Sequence, residues 1–310
     1  MCGIAGLIYK DGQTSIGHDM TRMLQAMKHR GPDSTGYALY RPPEEGWVMH
    51  VNLAEANTPR DFDFHDRLRR NRGEVERRMA AMGARVGKVA EAHDYALTIS
   101  FDYDGDDLKS LADRVEDVNG AEVLSLGHQL EIVKDLGDAE TVAADYRLDG
   151  FQGSHAIGHV RMATESDVDI AGAHPYWAYP FSDVAVVHNG QLTNYHYWRR
   201  RLERAGHRFQ SECDSEIIAV YLAERMAGSD SLEDAMRASM QELDGVFTYL
   251  CVTGDELGMA KDELAAKPLV LYEADDVVAM ASEEIAIRKV IDREIETYDP
   301  YEGEVMVWHR

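Results

Sequence analysis

The first six residues, Met1-Cys2-Gly3-Ile4-Ala5-Gly6, restrict the chain most. A cysteine directly after the initiator methionine becomes terminal once Met1 is removed. It then carries a thiol and a free α-amino group on one residue, a nucleophile with a base attached. Ile4, Leu7 and Ile8 around two glycines predict a buried strand that begins at this cysteine, and Gly3, Ala5 and Gly6 would let other backbone approach closely. Taken alone, the hexamer is equally compatible with an ordinary N-terminal strand and a buried cysteine, because free Cys is commonly buried.

The remaining composition narrows the classes. The chain has 310 residues, 45% of them hydrophobic, which is enough for a sizeable core in one large or two smaller domains. No stretch approaches the roughly 20 apolar residues that span a bilayer. No basic region precedes the short apolar run at the N-terminus, which reads against a signal peptide and for a cytoplasmic protein. The three cysteines, Cys2, Cys213 and Cys251, form no CxxC pair and predict neither a disulfide framework nor a zinc ribbon. With 32 basic and 56 acidic residues the net charge is −24, so most of the surface repels nucleic acid and anionic membrane. A salt-rich cytoplasm and an ordinary solubilising surface both fit that excess.

Along the chain, Met20, Met23, Leu24 and Met27 fall at helix spacing and read as core. That helix leads into Arg30-Gly31-Pro32-Asp33-Ser34, which is turn chemistry, and a second strand at Gly36–Tyr40. Read by itself, Arg30 is a solvated charge at a helix end. From about 60 to 146 the chain reads as a compact α/β insertion with its own apolar periodicity. Its arginine run, from Arg60 through Arg67, Arg69, Arg70, Arg72, Arg77 and Arg78, reads first as a solvated helix face and second as a docking face. Asp102–Asp107 reads as a solvated turn; it has Asp107 where a calcium loop needs glycine. His155 and His159 lie on a strand with no acidic or cysteine partner at ligand spacing, so no metal site is expected. Val184–Val187 is a short buried strand ending at His188-Asn189-Gly190, first a turn signal and second a pair of oxyanion donors. Asp214 is placed to cap a helix whose stripe is Ile217, Ile218, Tyr221 and Leu222. Strands are expected at 267–272 and 277–283, a short helix at 284–291 and a last strand at 305–308. No GxGxxG unit, P-loop or metal cluster is present, so no cofactor is expected.

Five segments in order carry a resemblance: Met1–Gly6, Arg30–Ser34, Gly158–Thr164, His188-Asn189-Gly190 and Asp214-Ser215-Glu216. Together they make the sequence similar to class II glutamine amidotransferase domains, the N-terminal nucleophile type, over nearly the whole chain outside 60–146. Lys267-Pro268-Leu269 and Ala281-Ser282-Glu283 also match. Arg161–Ser166, Ala173-His174-Pro175, Arg208-Phe209-Gln210, Leu243-Asp244-Gly245 and Met280–Glu283 resemble stand-alone amidotransferase subunits of glutamate synthase and N-methylglutamate synthase type. Met162 and Glu165 depart from the commoner family pattern, which has Trp and His there.

The resemblance implies an α+β fold, a four-layer αββα sandwich spanning 1–310 with the α/β insertion inside it. It implies hydrolysis of the L-glutamine side-chain amide to glutamate and ammonia. Cys2 would be the nucleophile. A free Cys titrates at about 8.5 and an α-amino group at about 7.7–8.0, so the amine can take the thiol proton near neutral pH. Asn189 and Gly190 would hold the oxyanion, Arg161 the α-carboxylate, Asp214 the α-ammonium and Thr164 a further hydrogen bond, with Arg30 and Gly31 shaping the wall beside Cys2. The chain has no second catalytic domain, so the resemblance also implies an ammonia-accepting synthase subunit in trans, of FMN- and iron–sulfur type, and an oligomeric assembly. Two other readings remain at this point: a non-catalytic or partner-gated scaffold of the same complex, and another N-terminal nucleophile amidohydrolase such as an acylase or peptidase.

Overall fold

A computed structural model describes residues 2–54, 58–162 and 172–310. In chain order its strands are β1 (Gly3–Tyr9), β2 (Ser34–Tyr40), β3 (Trp47–Asn52), β4 (Arg85–His93), β5 (Ala96–Asp102), β6 (Glu122–Gly127), β7 (Leu130–Leu136) and β8 (His155–Arg161). They continue as β9 (Tyr176–Trp177), β10 (Ala185–Leu192), β11 (Gly245–Val252), β12 (Glu256–Lys261), β13 (Val270–Glu273), β14 (Val277–Ala281) and β15 (Val305–His309). The helices are α1 (Ile16–Ala26), α2 (Phe64–Ala81), α3 (Leu108–Glu116), α4 (Ala139–Asp145), α5 (Tyr195–Arg204), α6 (Asp214–Ala227), α7 (Leu232–Glu242) and α8 (Glu284–Ile287).

The strands form three sheets, ordered β13-β14-β1-β8-β2-β7, β15-β12-β11-β10-β9 and β4-β5-β3-β6. Successive strand residues point to opposite faces, and the first two sheets use both faces. Ile4, Ile8, Tyr40 and Ile157 of the six-stranded sheet share one core with Val187, Leu250 and Met259 of the five-stranded sheet. The opposite face of the first sheet, with Ala5, Leu7, Tyr37 and Leu39, packs on Met20 and Leu24 of α1 and on α4 and α8. The opposite face of the second, with Val186 and Cys251, packs on Ile217, Ile218 and Tyr221 of α6 and on α7. The layers are therefore helices, sheet, sheet, helices. This is the expected αββα sandwich, and the methionine stripe is core, each of its residues fully buried.

The small sheet and helices α2 and α3 form an accessory unit between β2 and β7, which are themselves antiparallel neighbours. Its apolar residues, among them Met49, Leu68, Ile99, Leu111 and Val115, join the core between the two large sheets. Of the segment 60–146, β7 and α4 pack with the six-stranded sandwich layer, and β3, which precedes the segment, lies in the small sheet. The arginines of α2 mostly meet acids close in sequence: Arg67 with Asp61, Arg69 with Asp66, Arg72 with Glu76, and Arg77 and Arg78 with Glu74. Exposed pairs of this kind add little to stability, but they balance the basic run locally. Asp107, the last of the acidic turn, caps α3 by accepting the Ser110 N–H at 2.8 Å.

Several elements differ from the sequence-based expectation. The 267–272 strand is confined to β13, after Pro268, which has no N–H for a ladder. The 284–291 helix ends at Ile287, with turn hydrogen bonds beyond it. β3, β4, β9 and α4 were not expected. β4 (RVGKVAEAH) is an edge strand with mostly exposed or half-exposed side chains, so it lacks a buried apolar stripe. β3 buries His50 and Asn52 along with its apolar residues.

Candidate active site

Cys2 lies just ahead of β1, at the end of a strand held from both sides. β14 and β8 flank it in antiparallel register, with Gly3 opposite Val160. The Ser282 Oγ accepts the Ile4 N–H at 3.0 Å and the Ile4 carbonyl accepts the Ser282 N–H at 2.9 Å. The Cys2 carbonyl receives two donors, Arg30 Nε at 3.0 Å and Asn189 Nδ2 at 3.1 Å. Arg30 comes from the first sandwich layer and Asn189 from the opposite sheet, so the residue is clamped between the two halves of the fold. The thiol itself is half-buried, with Sγ 4.0 Å from the Met162 carbonyl.

Arg30 is therefore not a solvated helix-end charge. Its side chain is 10% exposed, and Nη1 donates to Glu283 Oε1 at 2.7 Å while Nε holds Cys2. Burial pushes the Glu283 carboxyl up, but the hydrogen bonds from the Arg30 guanidinium and His29 outweigh it and hold that carboxyl below its ordinary range. Gly31 next to it lies against the backbone of β8: a Cβ there would stand 2.5 Å from the carbonyl carbons of Val160 and Arg161. Only hydrogen at this position lets the 30–33 turn reach Arg161, whose carbonyl accepts the Asp33 N–H at 3.1 Å.

Cys2, Arg161, Asn189, Gly190 and Asp214 line one open pocket of about 850 Å³. Five residues separated by up to 212 positions thus converge. Arg161 ends β8 opposite Ser34 of β2. Asn189 and Gly190 sit in β10 opposite Thr248 and Phe247 of β11, and Gly190 has φ +146°, a conformation side-chain-bearing residues rarely adopt. Thr164, together with Ala163, Glu165 and Ser166, lies outside the described residues.

Asp214 corrects another expectation. It is the first residue of α6 rather than its cap; Cys213 occupies the cap position and makes no side-chain capping bond. The Asp214 carboxylate turns instead to the site, where Oδ2 accepts the Leu192 N–H at 2.7 Å and Oδ1 stands 3.6 Å from His188 Nδ1. An acid in the first turn also matches the positive end of the helix dipole. The loop ahead of the helix is held by Glu216, whose buried carboxylate accepts the N–H groups of Gln210 (2.8 Å) and Ser211 (2.9 Å).

The sequence reading did not assign the inner wall. His159, His174, His188, Cys213, Ser215 and Lys267 also line the pocket. The Ser215 hydroxyl is a hub, 2.6 Å from His174 Nε2 and 2.8 Å from His188 Nδ1, and His159 lies over His174 with ring centroids 4.1 Å apart. Burial drives all three imidazoles below their ordinary pKa, His159 to about 3. They stay neutral at physiological pH and serve as hydrogen-bonding groups, too weakly basic to hold a thiol proton. Burial, with the Asp214 charge, pushes the Cys213 thiol up, so Cys213 stays a thiol. The only local hints of this wall were a His before Asn-Gly and a His before Pro175; the contacts come from α6, 27 and 41 residues away. Among the described residues no three His, Cys, Asp or Glu side chains are placed to hold a metal ion, and no helix is long and apolar enough to cross a membrane.

His155, on the same strand as His159, belongs to the fold rather than to the pocket. Its ring stacks on Tyr40 at 4.3 Å, Nε2 is 2.7 Å from the Thr253 carbonyl, and burial lowers its pKa to about 4. An unfolded chain carries this imidazole near 6.5, so below that pH it binds a proton the folded state refuses. Stability therefore falls as pH drops from about 6.5 to 4, by about 1.4 kcal/mol per pH unit for this group. His155→Gln is expected to be less stable than wild type at pH 7 and to lose less stability on going to pH 4.5. Urea midpoints at both pH values check this; parallel losses would mean that His155 is not a source of the acid lability.

The layered fold with a cysteine at the head of a central strand is that of the N-terminal nucleophile hydrolases, in the form found in class II glutamine amidotransferases. Two solved structures share it. Glutamine phosphoribosylpyrophosphate amidotransferase from B. subtilis superposes with a TM-score of 0.60 at 18% identity, over 99% of this chain and 47% of that one. A structure titled as the allosteric regulatory enzyme of purine biosynthesis gives 0.62 at 19%, with the same coverage. Residues 159–289 match the family model described as a glutamine amidotransferase domain. A Methanothermobacter thermautotrophicus protein named "Putative glutamine amidotransferase" is 40% identical over 99% of both chains. The Rhizobium meliloti protein "Glutamine amidotransferase-like protein GlxB" is 35% identical over 99% of this chain and 98% of its own. This chain belongs to the glutamine amidotransferase family.

Proposed function

We propose that this chain is the glutaminase component of an amidotransferase complex, with Cys2 as its N-terminal nucleophile once Met1 is removed. The observation that carries the reading is the convergence of Cys2, Asn189, Gly190, Arg161 and Asp214 on one pocket. Glutamine is a zwitterion and needs one cation and one anion at fixed spacing. Arg161 offers a guanidinium fork for the α-carboxylate and Asp214 a carboxylate for the α-ammonium, with Thr164 adding a hydrogen bond. A free amino acid suits this pair better than a peptide, whose α-groups are blocked.

In this reading the α-amino group of Cys2 accepts the Sγ proton, because the neutral histidines of the wall are too weakly basic to do so. The thiolate attacks the side-chain amide carbon. The carbonyl π electrons move to oxygen, which the Asn189 amide and the Gly190 N–H hold. The C–N bond breaks as the amine returns its proton to nitrogen, and ammonia leaves. Water then hydrolyses the glutamyl thioester, releasing glutamate and restoring the thiol. Arg30 and Gly31 keep Cys2 and Arg161 in register. Ammonia would pass to a synthase subunit of glutamate synthase or N-methylglutamate synthase type, since free ammonia is protonated and lost in water.

Intact mass before and after reaction with a glutamine-like diazo-ketone of norleucine tests this. The expected result is a chain lacking Met1 with one adduct, on Cys2, suppressed by excess glutamine. A processed chain that hydrolyses no glutamine and takes no adduct, alone or with a synthase subunit, would overturn the reading in favour of a scaffold.

A further inference from the structure

A short segment, residues 208–211, ties the accessory unit to the pocket. At its far end stand two acids of α3. The Asp113 carboxylate takes Arg208 Nη1 at 3.1 Å, and Glu116 takes Arg208 Nη2 at 3.3 Å. The Glu116 side chain is 5% exposed, and its Oε1 also accepts the Val123 N–H at 3.2 Å and the Gln210 side-chain amide. Gln210 then reaches the other way. Its backbone N–H goes to Glu216 of α6 at 2.8 Å, beside the Ser211 N–H on the second Glu216 oxygen. The Ser211 hydroxyl also binds Glu216, and its Oγ takes the Cys213 N–H at 3.1 Å. The next residues, Glu212 to Ser215, are a wall of the pocket.

We infer that Glu116, through Gln210, is a positioning residue for the Asp214 wall, so that the accessory unit sets the affinity of the site for glutamine. This rests on the proposed glutaminase reading. The physical basis is that a buried carboxylate accepting three donors is a fixed point, and removing it leaves the guanidinium, the amide and a backbone N–H without their acceptor. The nearby charges are Arg208 and Asp113 at the segment and Glu122 from β6. Burial raises the Glu116 carboxyl to about 7, with Arg208 opposing the rise. A partner bound to the accessory unit would act on glutamine affinity through this tie.

The role is in binding, so its loss should raise KM and leave kcat alone. Glu116→Ala is expected to raise KM for glutamine about tenfold with kcat within about twofold, the size expected for losing a charge-assisted hydrogen-bond set. Hydrogen exchange should quicken across 208–216 and stay unchanged in β1 and β8. Exchanging the partners, as Glu116→Gln with Gln210→Glu, restores the 116–210 hydrogen bond but not the carboxylate that Arg208 and the Val123 N–H share, and should recover only part of the lost affinity. Arg77→Ala, which removes an exposed ion pair of the same unit, should move neither readout. If Glu116→Ala leaves both KM and the exchange of 212–215 unchanged, the inference fails. It also fails if the whole accessory unit loosens and KM does not move. If processed wild-type protein turns over no glutamine and takes no adduct, alone or with a synthase subunit, the functional reading fails instead, and exchange at 212–215 in Glu116→Ala still decides whether the tie positions the wall.

Discussion

Replacing Cys2 with alanine is expected to lower glutamine hydrolysis by a factor on the order of 10⁴ or more, because removing a covalent nucleophile leaves only binding and oxyanion stabilisation. The fold should not suffer. Cys2 is half-buried, it precedes the first strand, and the groups that hold it, Arg30 and Asn189, bind its backbone carbonyl rather than its thiol. Alanine keeps that carbonyl, so the melting temperature should change by no more than about 2 °C, as for a substitution that disturbs no core contact. Glutamine binding measured by calorimetry should also persist, because Arg161 and Asp214 are untouched. A chain that retains Met1 should behave like the alanine variant in turnover for another reason: its Cys2 nitrogen is an amide and cannot accept the thiol proton. If Cys2→Ala keeps a tenth or more of wild-type activity, the nucleophile is elsewhere; Cys213, held as a thiol by burial, is a poor substitute.

The parts legible in the sequence share a physical origin. The methionine helix buries one apolar face, which leaves a helical period in the sequence, while the N-terminal strand and α6 are buried nearly all round and show as dense apolar runs. The αββα arrangement came from resemblance; alternating short strands and helices fit many folds. β4 escaped because an edge strand of the accessory sheet, with Lys88 and Glu91 turned outward, buries no face. The resemblance, not local pattern, puts Arg30 beside Cys2, because its partners are a backbone carbonyl 28 residues earlier and an acid 253 residues later. The histidine wall escaped for a similar reason. His174 and His188 look like isolated polar residues until α6 brings Ser215 between them. Asp214 fits both a cap and a site carboxylate in the sequence because the two are the same residue type at the same end of a helix; the Leu192 N–H on its oxygen and the position inside α6 separate them. Motif order located the site, and long-range contacts determined what each residue does there.

Asn189→Ala should lower kcat about 10²–10³-fold with little change in KM, the loss typical of one oxyanion donor. Geometry makes the residue a demanding case. Asn189 is 7% exposed and its Nδ2 already donates to the Cys2 carbonyl at 3.1 Å. An amide nitrogen has two N–H groups, so one can hold Cys2 while the other faces the oxygen that becomes negative as the thiolate attacks. Alanine removes both. The Cys2 carbonyl then keeps only Arg30, at a stability cost of about 1–2 kcal/mol for a lost buried hydrogen bond, which a denaturant midpoint would record. Asn189→Asp separates the two effects. It has nearly the same shape, but its carboxylate repels both the Cys2 carbonyl and a developing oxyanion, so kcat should fall below that of the alanine variant. An alanine variant with normal kcat and raised KM would place Asn189 in ground-state binding. The Gly190 N–H would then be the remaining proposed donor in β10, with its φ of +146° set by the strand and not by any side chain.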